Sequence, residues 1–269
     1  MTDHLRRVLS PVSDSAWEQI NREATRTLRH FLAGRSVTDF KGPKGWAYSA
    51  EPLGRTSAEV SRDGGVVTAA REVSPLIELR RSFELSLAEL DRAERGADDL
   101  DLEALIEAAR DAALAEDQAI FDGEPQLGIR GIAGASANEP LEIGDDYDRY
   151  PAVVAQAVAV LRRNGIGGPY AIALGPRCYT GVIETTEYGG YPVLEHMKLI
   201  LGGPVVWAPA VNGAVVLSTR GGDFEFVSGQ DFSIGYRQQI DDRLELYLEE
   251  SFTFKVVEPR AGIALRYPS

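Results

Sequence analysis

The residues of this chain that could do chemistry do not combine into a catalytic site. Ser136 lies in Gly134-Ala-Ser136-Ala-Asn138, which lacks the second glycine that the strained nucleophile turn of a hydrolase requires. We therefore expect a loop of small residues there. Gly165-Ile-Gly-Gly168 precedes an apolar run, whereas a dinucleotide-binding loop follows a strand. That spacing favours a link from a helix to a strand.

Residues that bind metals are equally sparse. The three histidines are far apart in sequence and form no His-Glu-x-x-His pattern. The pairs Asp145-Asp146 and Asp241-Asp242 could bind a cation, although adjacent aspartates in turns are more often solvated. Cys178 is the only cysteine, and we expect it to pack as a small apolar residue. The sequence therefore predicts no enzyme, no metal site and no cofactor.

Charge limits the partners that this chain can have. Its 269 residues include 41 acidic and 28 basic side chains, which give a net charge of −13. An acidic protein is repelled by phosphate backbones and anionic membranes, so we expect no nucleic-acid and no membrane partner. The amino terminus lacks the apolar core of a signal peptide, and no apolar run reaches the ~18 residues of a membrane span. We expect a cytoplasmic protein.

Several helices follow from apolar spacing. Ser15-Ala-Trp-Glu18 is a capping-box pattern, and it predicts a helix that runs to the residues before Gly34. Residues 101–121 carry apolar residues on one face and should form the longest helix. Pro151 can occupy the first turn of another helix that ends at Asn164-Gly165. A further helix is expected over residues 192–201.

Strands are expected in the middle and at the end of the chain. Residues 40–94 alternate turns with short apolar runs, which indicates an extended excursion rather than a compact helical unit. Residues 170–174 are typical of a buried strand. Asn212-Gly213 separates two apolar runs and predicts a hairpin between residues 205–207 and 214–217. The fold class predicted from these patterns is α+β.

Motifs along the whole chain resemble those of encapsulins, the shell proteins of bacterial nanocompartments. The resemblance rests on Ala33-Gly-Arg-Ser-Val-Thr-Asp39, Gly42-Pro-Lys-Gly-Trp46, Pro75-Leu-Ile-Glu-Leu-Arg80, Leu90-Asp-Arg-Ala-Glu-Arg-Gly96, Glu116-Asp-Gln-Ala-Ile-Phe121, Tyr188-Gly-Gly-Tyr-Pro192, Ser218-Thr-Arg-Gly-Gly-Asp-Phe224, Gly229-Gln-Asp-Phe-Ser-Ile-Gly-Tyr236 and Glu250-Ser-Phe-Thr-Phe-Lys-Val-Val-Glu-Pro259.

The resemblance implies the HK97-type phage-capsid fold, with a peripheral domain, an axial domain and an extended loop. On this chain it implies an amino-terminal helix region at 1–39, the extended loop with flanking strands at 40–94, and the peripheral domain with its spine helix at 95–134. The axial domain would cover 135–223, and peripheral return strands would cover 224–269. Repeated identical contacts would close about 60 subunits into an icosahedral (T=1) shell.

The resemblance also implies a groove on the inner wall that binds the carboxyl-terminal tail of a cargo enzyme. Apolar pockets would hold aliphatic side chains of the tail, while Arg35 and the aspartates would orient it. Without the resemblance, an apolar stripe at helical spacing ordinarily faces the protein's own core. The positions that match the family's groove are Leu28, Phe31, Leu32, Arg35, Asp39, Asp231, Phe232 and Ile234.

A second implied feature is a loop that lines the five-fold pore. Its residues are Glu184, Thr185, Thr186, Glu187, Tyr188, Gly189, Gly190 and Tyr191. Rings of Glu187 carboxylates would favour small cations if they face the pore. Some shells of the family bind flavin beside an aromatic residue of the extended loop, but this chain has Ala88 there, so no flavin is expected.

The leading hypothesis from the sequence is a structural shell that confines an oxidative-stress or iron-storage enzyme. A dye-decolourising peroxidase is favoured as cargo over a ferritin-like protein. The alternative is a phage major capsid protein that encloses DNA. A secreted bacteriocin or peptidase, an activity for which some family members were named, is least favoured because no catalytic set is present.

Overall fold

The structure is a computed structural model that describes residues 4–187 and 189–268. Its first helix begins at Asp14, where the Ser13 hydroxyl accepts the backbone N–H of Ala16 at 3.3 Å, so the helix begins earlier than the capping box at Ser15 predicted. The helices of the described residues are α1 Asp14–Phe31, α2 Leu87–Glu94, α3 Glu103–Phe121, α4 Ile132–Ala135, α5 Tyr150–Arg163, α6 Pro176–Glu184 and α7 Val193–Leu201.

The strands of the described residues form two main sheets and three two-stranded sheets. They are β1 Asp39–Lys41, β2 Ala50–Thr56, β3 Val60–Arg62, β4 Val66–Thr68, β5 Arg71–Pro75, β6 Ile77–Ser86, β7 Gly123–Glu124, β8 Ile129–Arg130, β9 Leu141–Glu142, β10 Tyr170–Leu174, β11 Val205–Trp207, β12 Ala214–Ser218, β13 Phe224–Ile240, β14 Arg243–Val256 and β15 Gly262–Arg266. The first main sheet has the order β1-β13-β14-β6, and the second has the order β11-β10-β12-β15-β9.

Packing of α1 and α3 on the first sheet creates one apolar core. Ile20 and Leu28 of α1 and Leu105 of α3 meet Ile234 of β13 and Leu246 of β14 in this core. A second core surrounds the all-buried strand β10 and includes α5 and α7. Helices α1 and α3 therefore pack on the two long strands β13 and β14. Most of the predicted groove residues lie where these helices meet the strands.

One prediction about secondary structure was wrong, and two helices were missed. The runs beside Asn212-Gly213 do not pair with each other, because β10 lies between them, parallel to β11 and antiparallel to β12. Helix α2 ends the excursion expected to lack helix, and α6 had not been predicted. Strand β15 joins the second sheet, so the segment 224–269 contributes strands to both main sheets.

Strands β2 to β5 form a projecting arm. Within it β2 pairs with β5 and β3 pairs with β4, both antiparallel. Its apolar side chains are exposed to an unusual degree, with Val60, Val66 and Val67 each more than half exposed. An arm with this surface has the character of an interaction element, because contiguous exposed apolar area usually marks a contact site.

Candidate functional site

The end of α1 faces a strongly irregular part of β13. Leu28 is buried, whereas Phe31 and Leu32 are half-buried at the helix terminus. Phe232 is half-buried and Ile234 is buried, and all these side chains belong to one apolar cluster. Register shifts of β13 against β14 between Gln230 and Ser233 change the direction of the strand at this point. The structure thus brings the predicted apolar residues together.

The ring of Phe31 is held by two aromatic neighbours that the sequence did not indicate. His30 lies edge-on to it at 4.9 Å between ring centroids, and Trp207 of β11 lies at 5.6 Å. The rings of His30 and Trp207 are 5.1 Å apart. Tilted and edge-on pairs at such separations are favourable contacts. They connect the end of α1 to the edge strand of the second sheet.

Arg35 lies in the short 3-10 turn Gly34–Ser36, and its guanidinium is held by carboxylates of the same subunit. Its Nε donates to Glu116 Oε1 at 2.9 Å, and one terminal nitrogen donates to Glu116 Oε2 at 2.6 Å. The other donates to Asp231 Oδ1 at 2.8 Å. Glu250 also accepts from the guanidinium. Charge-assisted bonds of this kind fix the side chain firmly.

Aromatic rings surround the same guanidinium. Its carbon lies 5.0 Å from the ring centroid of Phe226, 5.2 Å from that of Phe40 and 5.3 Å from that of Phe232. Cation–π attraction adds to the ion pairs where water is excluded. Arg35 therefore links the groove residue Phe232 to the interior, and it is not a free cation at the surface.

Glu116 and Glu250 were not identified as site residues from the sequence, and both are buried completely or nearly so. Burial, followed by the nearby charge of Glu116, raises the pKa of Glu250 well above its ordinary value. Burial opposes the charge of Arg35, but the hydrogen bond to Glu116 and the charge of Glu250 outweigh it and raise the pKa of Arg35. The guanidinium therefore stays charged.

Asp117 anchors the turn that carries Arg35. Its two carboxyl oxygens accept the backbone N–H groups of Ala33 and Gly34 at 2.8 and 2.9 Å. Burial is the largest influence and raises the pKa of Asp117 to about 7, although these two hydrogen bonds oppose it. A carboxyl group that titrates near neutral pH thus lies directly beneath the end of α1.

Asp39 lies in β1, the strand at one edge of the first main sheet. Asp39 pairs with Glu225 where β1 runs beside β13, and the Asp39 carboxylate accepts a hydrogen bond from the backbone N–H of Gly222. A cavity of about 160 Å³ lies beside it, between the turn after α1 and residues 218–224. Asp39 therefore fixes a loop of its own subunit, while Asp231 keeps a side chain that is 43% exposed.

The predicted pore residues form the loop between α6 and α7. Glu184 ends α6, Thr186 forms a bridge to Pro192, and the backbone N–H of Glu187 donates to Tyr191 O at 2.8 Å. Gly189 and Gly190 have φ angles of 104° and 81°, a region that glycine tolerates, so the double glycine permits this turn. Thr185 caps the end of α6, and Tyr188 lies outside the described residues.

The Glu187 carboxylate has a partner that the sequence did not indicate. Both of its oxygens lie 3.0 Å from Nδ1 of His196 in α7, and the Tyr191 ring lies edge-on to that imidazole. Within residues 4–187 and 189–268, no group of three or more His, Cys, Asp or Glu side chains is arranged so that it could hold a metal ion. Among the helices of that same part, none is long and apolar enough to cross a membrane.

Comparison with known proteins gives concordant results. The family described as "Encapsulating protein for peroxidase" matches residues 1–253. A type 1 encapsulin shell protein of Rhodospirillum rubrum is 48% identical over 268 residues, which cover 97% of this chain and 96% of that protein. Such relatives are named as shell proteins, which is a structural and not a catalytic role.

Solved structures give the fold. A virus-like particle from Pyrococcus furiosus matches with a TM-score of 0.66 at 14% identity and covers 93% of this chain and 99% of that one. A structure from Mycobacterium phage Bobi matches with a TM-score of 0.56 at 15% identity and covers 98% and 94%. These similarities confirm the predicted α+β fold of HK97-type capsid proteins.

Proposed function

Since the chain belongs to the family of type 1 encapsulin shell proteins, we propose that it assembles into a closed icosahedral shell of about 60 copies around a cargo enzyme. The whole-length similarity to named shell proteins carries this proposal. The projecting arm with exposed valines supports this proposal, because apolar side chains are more stable in contact with a neighbouring subunit than in contact with water. A shell in the cytoplasm is consistent with the acidic composition.

Electron cryo-microscopy of purified particles tests this proposal. We expect a hollow shell of about 60 subunits in which residues 184–191 surround the five-fold axes. Glu187 would then present to the pore a carboxylate whose two oxygens lie 3.0 Å from Nδ1 of His196. Only monomers or small oligomers would contradict assembly. Absorbance at 260 nm typical of packaged DNA would favour a phage capsid protein instead.

The cluster of Phe31, Leu32, Phe232 and Ile234 is the proposed docking groove for the cargo's carboxyl-terminal tail. Phe31 and Phe232 are half-buried, so each has apolar surface left to contact a tail side chain. Arg35 is bound by carboxylates of the same subunit. We therefore assign it the role of shaping the groove wall, while the exposed carboxylate of Asp231 contacts the tail.

We favour a dye-decolourising peroxidase as the cargo over a ferritin-like protein. The description of the family, which names a peroxidase, supports this choice. The chain would then serve the oxidative-stress response by confining the enzyme and not by reacting itself. Co-expression of the shell with each candidate enzyme, followed by analysis of purified particles, distinguishes the two.

Replacement of the half-buried aromatic residues tests the groove. Phe31→Ala and Phe232→Ala each remove apolar contact area and should lower the amount of co-purified peroxidase at least tenfold, since a buried aromatic anchor contributes about 2 kcal/mol or more. Thr25→Ala is the matched control, because Thr25 lies on the exposed face of α1. Leu28 is unsuitable, since it is buried in the core. Normal cargo loading in both variants would refute the groove assignment.

A further inference from the structure

The carboxylates around Arg35 outnumber the cation that faces them. Glu116, Asp117 and Glu250 are all buried, and Asp231 completes the cluster at the surface. Among the ion pairs of the described residues, Glu116 and Glu250 are each paired with Arg35 alone. Fully ionised, the cluster would bury more negative charge than one guanidinium can balance, and uncompensated buried charge is strongly unfavourable.

One oxygen in the cluster has no partner as an acceptor. Oε2 of Glu250 is buried and lies outside every hydrogen bond found for the described residues, although Oε1 accepts from Arg35. A proton on Oε2 would explain why Oε2 accepts no hydrogen bond while Oε1 accepts one from Arg35, because the protonated Oε2 becomes a donor to the neighbouring Glu116. Burial of Glu250 has the largest influence in raising its pKa, and the charge of Glu116 and such a hydrogen bond would act in the same direction.

Four elements meet at this carboxyl group. Arg35 faces it from the turn after α1, Glu116 from α3, and Asp231 from the irregular part of β13. On the remaining side, β6 places the apolar Leu79 opposite Glu250 in the strand register. The cluster thus joins both walls of the proposed groove to the spine helix, and its charge state acts on all of them.

We propose that Glu250 and Glu116 share a buried proton that keeps the walls of the groove in place around Arg35. Loss of this proton at alkaline pH loosens these walls and weakens cargo docking. This regulation rests on the proposed function of the groove. A proton leaving Glu250 adds an unbalanced negative charge between α3 and β14. Repulsion between the Glu250 and Glu116 carboxylates then favours the entry of water between α3 and β14. As a result, the contact between Arg35 and Asp231 loses its fixed geometry.

The sign of the effect follows from proton linkage. The folded protein holds this proton more tightly than the unfolded chain does, so its contribution is complete below the ordinary pKa of a glutamate and is lost as the pH rises. One proton changes the opening equilibrium of the groove by at most about tenfold per pH unit.

Hydrogen exchange on assembled shells tests the proton directly. Wild type and Glu250→Gln are pulse-labelled at pH 6 and pH 9, because glutamine keeps both the acceptor for Arg35 and a donor toward Glu116. Segments covering residues 28–39 and 228–236 report on the groove, and Tyr170–Leu174 in β10 is the internal control. Comparison of the variants at equal pH cancels the intrinsic pH dependence of exchange.

From pH 6 to pH 9 we expect the groove segments of wild type to lose about tenfold or more protection beyond the loss in Glu250→Gln, because the titration of Asp117 is common to both proteins. Parallel behaviour of the two proteins would overturn the proposal. If Glu250→Gln does not assemble, infrared spectra of Asp117→Asn shells decide. A protonated-carboxyl C=O band that is present in Asp117→Asn shells above the ordinary pKa range of glutamate, and disappears at higher pH, supports the shared proton, and its absence from those shells refutes it.

Titration with a fluorescent synthetic tail peptide containing glycine and leucine separates the two levels of the proposal. Weaker binding at pH 9 to wild type, with no change for Glu250→Gln, supports regulation. Equal affinity at both pH values despite a difference in exchange overturns the regulatory role. Failure of the peptide to bind either shell at pH 6 contradicts the groove itself, and the exchange data still decide whether the proton is shared.

Discussion

Asp117 gives the shell a stability that depends on pH near neutrality, and Asp117→Asn should remove that dependence. Asparagine cannot ionise, but it keeps the shape of the side chain that accepts the N–H groups of Ala33 and Gly34. The wild-type carboxyl group has a pKa raised by burial to about 7. The folded state therefore binds the proton more tightly than the unfolded state, and stability is lost as the pH rises from about 4 to about 7.

The size of the effect follows from the shift of about three units. Each unit corresponds to about 1.4 kcal/mol, so the wild type should lose about 4 kcal/mol relative to the variant across this range. For a chain of this length, 1 kcal/mol changes the unfolding midpoint by about 2–4 °C, which predicts a relative change of about 8–16 °C. Asparagine also leaves one of the two N–H groups without an acceptor, at a cost of about 1–3 kcal/mol at every pH.

Thermal unfolding monitored by tryptophan fluorescence between pH 4.5 and pH 8 measures this difference. Both proteins need the same subunit concentration and heating rate, because assembly and irreversibility affect the apparent midpoint. The contribution of Glu250 is common to both proteins and cancels in the comparison. Profiles that remain parallel over the whole range would show that Asp117 is ionised in the folded shell, which would refute the reasoning.

The remaining predictions concern packing. Gly131→Ala should destabilise the subunit by about 2–4 kcal/mol, because a Cβ there would lie 2.4–2.6 Å from backbone atoms of residues 121–123. Gly144→Ala is the control, since its Cβ would meet no atom within 4 Å, and equal unfolding midpoints would contradict the steric argument. Cys178 is buried, with its sulfur 3.1 Å from the Tyr267 hydroxyl, so a thiol reagent should modify it only after unfolding. Rapid labelling of native particles would disprove this.

Local signals predicted the regular elements that depend on local chemistry. The apolar faces of α1 and α3 and the unbroken apolar run of β10 were sufficient, because helix periodicity and burial of a strand are visible in neighbouring residues. The Asn212-Gly213 turn illustrates the limit. Its residues specify a reversal of the chain, but they contain no information about which strand pairs with each of the two flanking apolar runs.

The candidate site shows the same limit. The family resemblance named the apolar residues at the end of α1 and on β13, and the structure brings them into one cluster. It did not assign Glu116, Glu250 or Trp207 to the site, which these residues reach from α3, β14 and β11. An acidic residue in a sequence is expected at the surface, so only the packing of distant elements reveals that these carboxyl groups are buried.

The arm of β2 to β5 also has a kinetic consequence. A solitary chain leaves Val60, Val66, Val67 and Val73 in contact with water, and in the proposed shell another copy of the same chain would supply the apolar cover that they lack. Two chains that meet in dilute solution therefore gain little stability from the contact. Each chain that joins the edge of a partly built shell, in contrast, covers an arm that is already in place. Particle formation should consequently show a threshold concentration and a lag, with few incomplete particles at equilibrium.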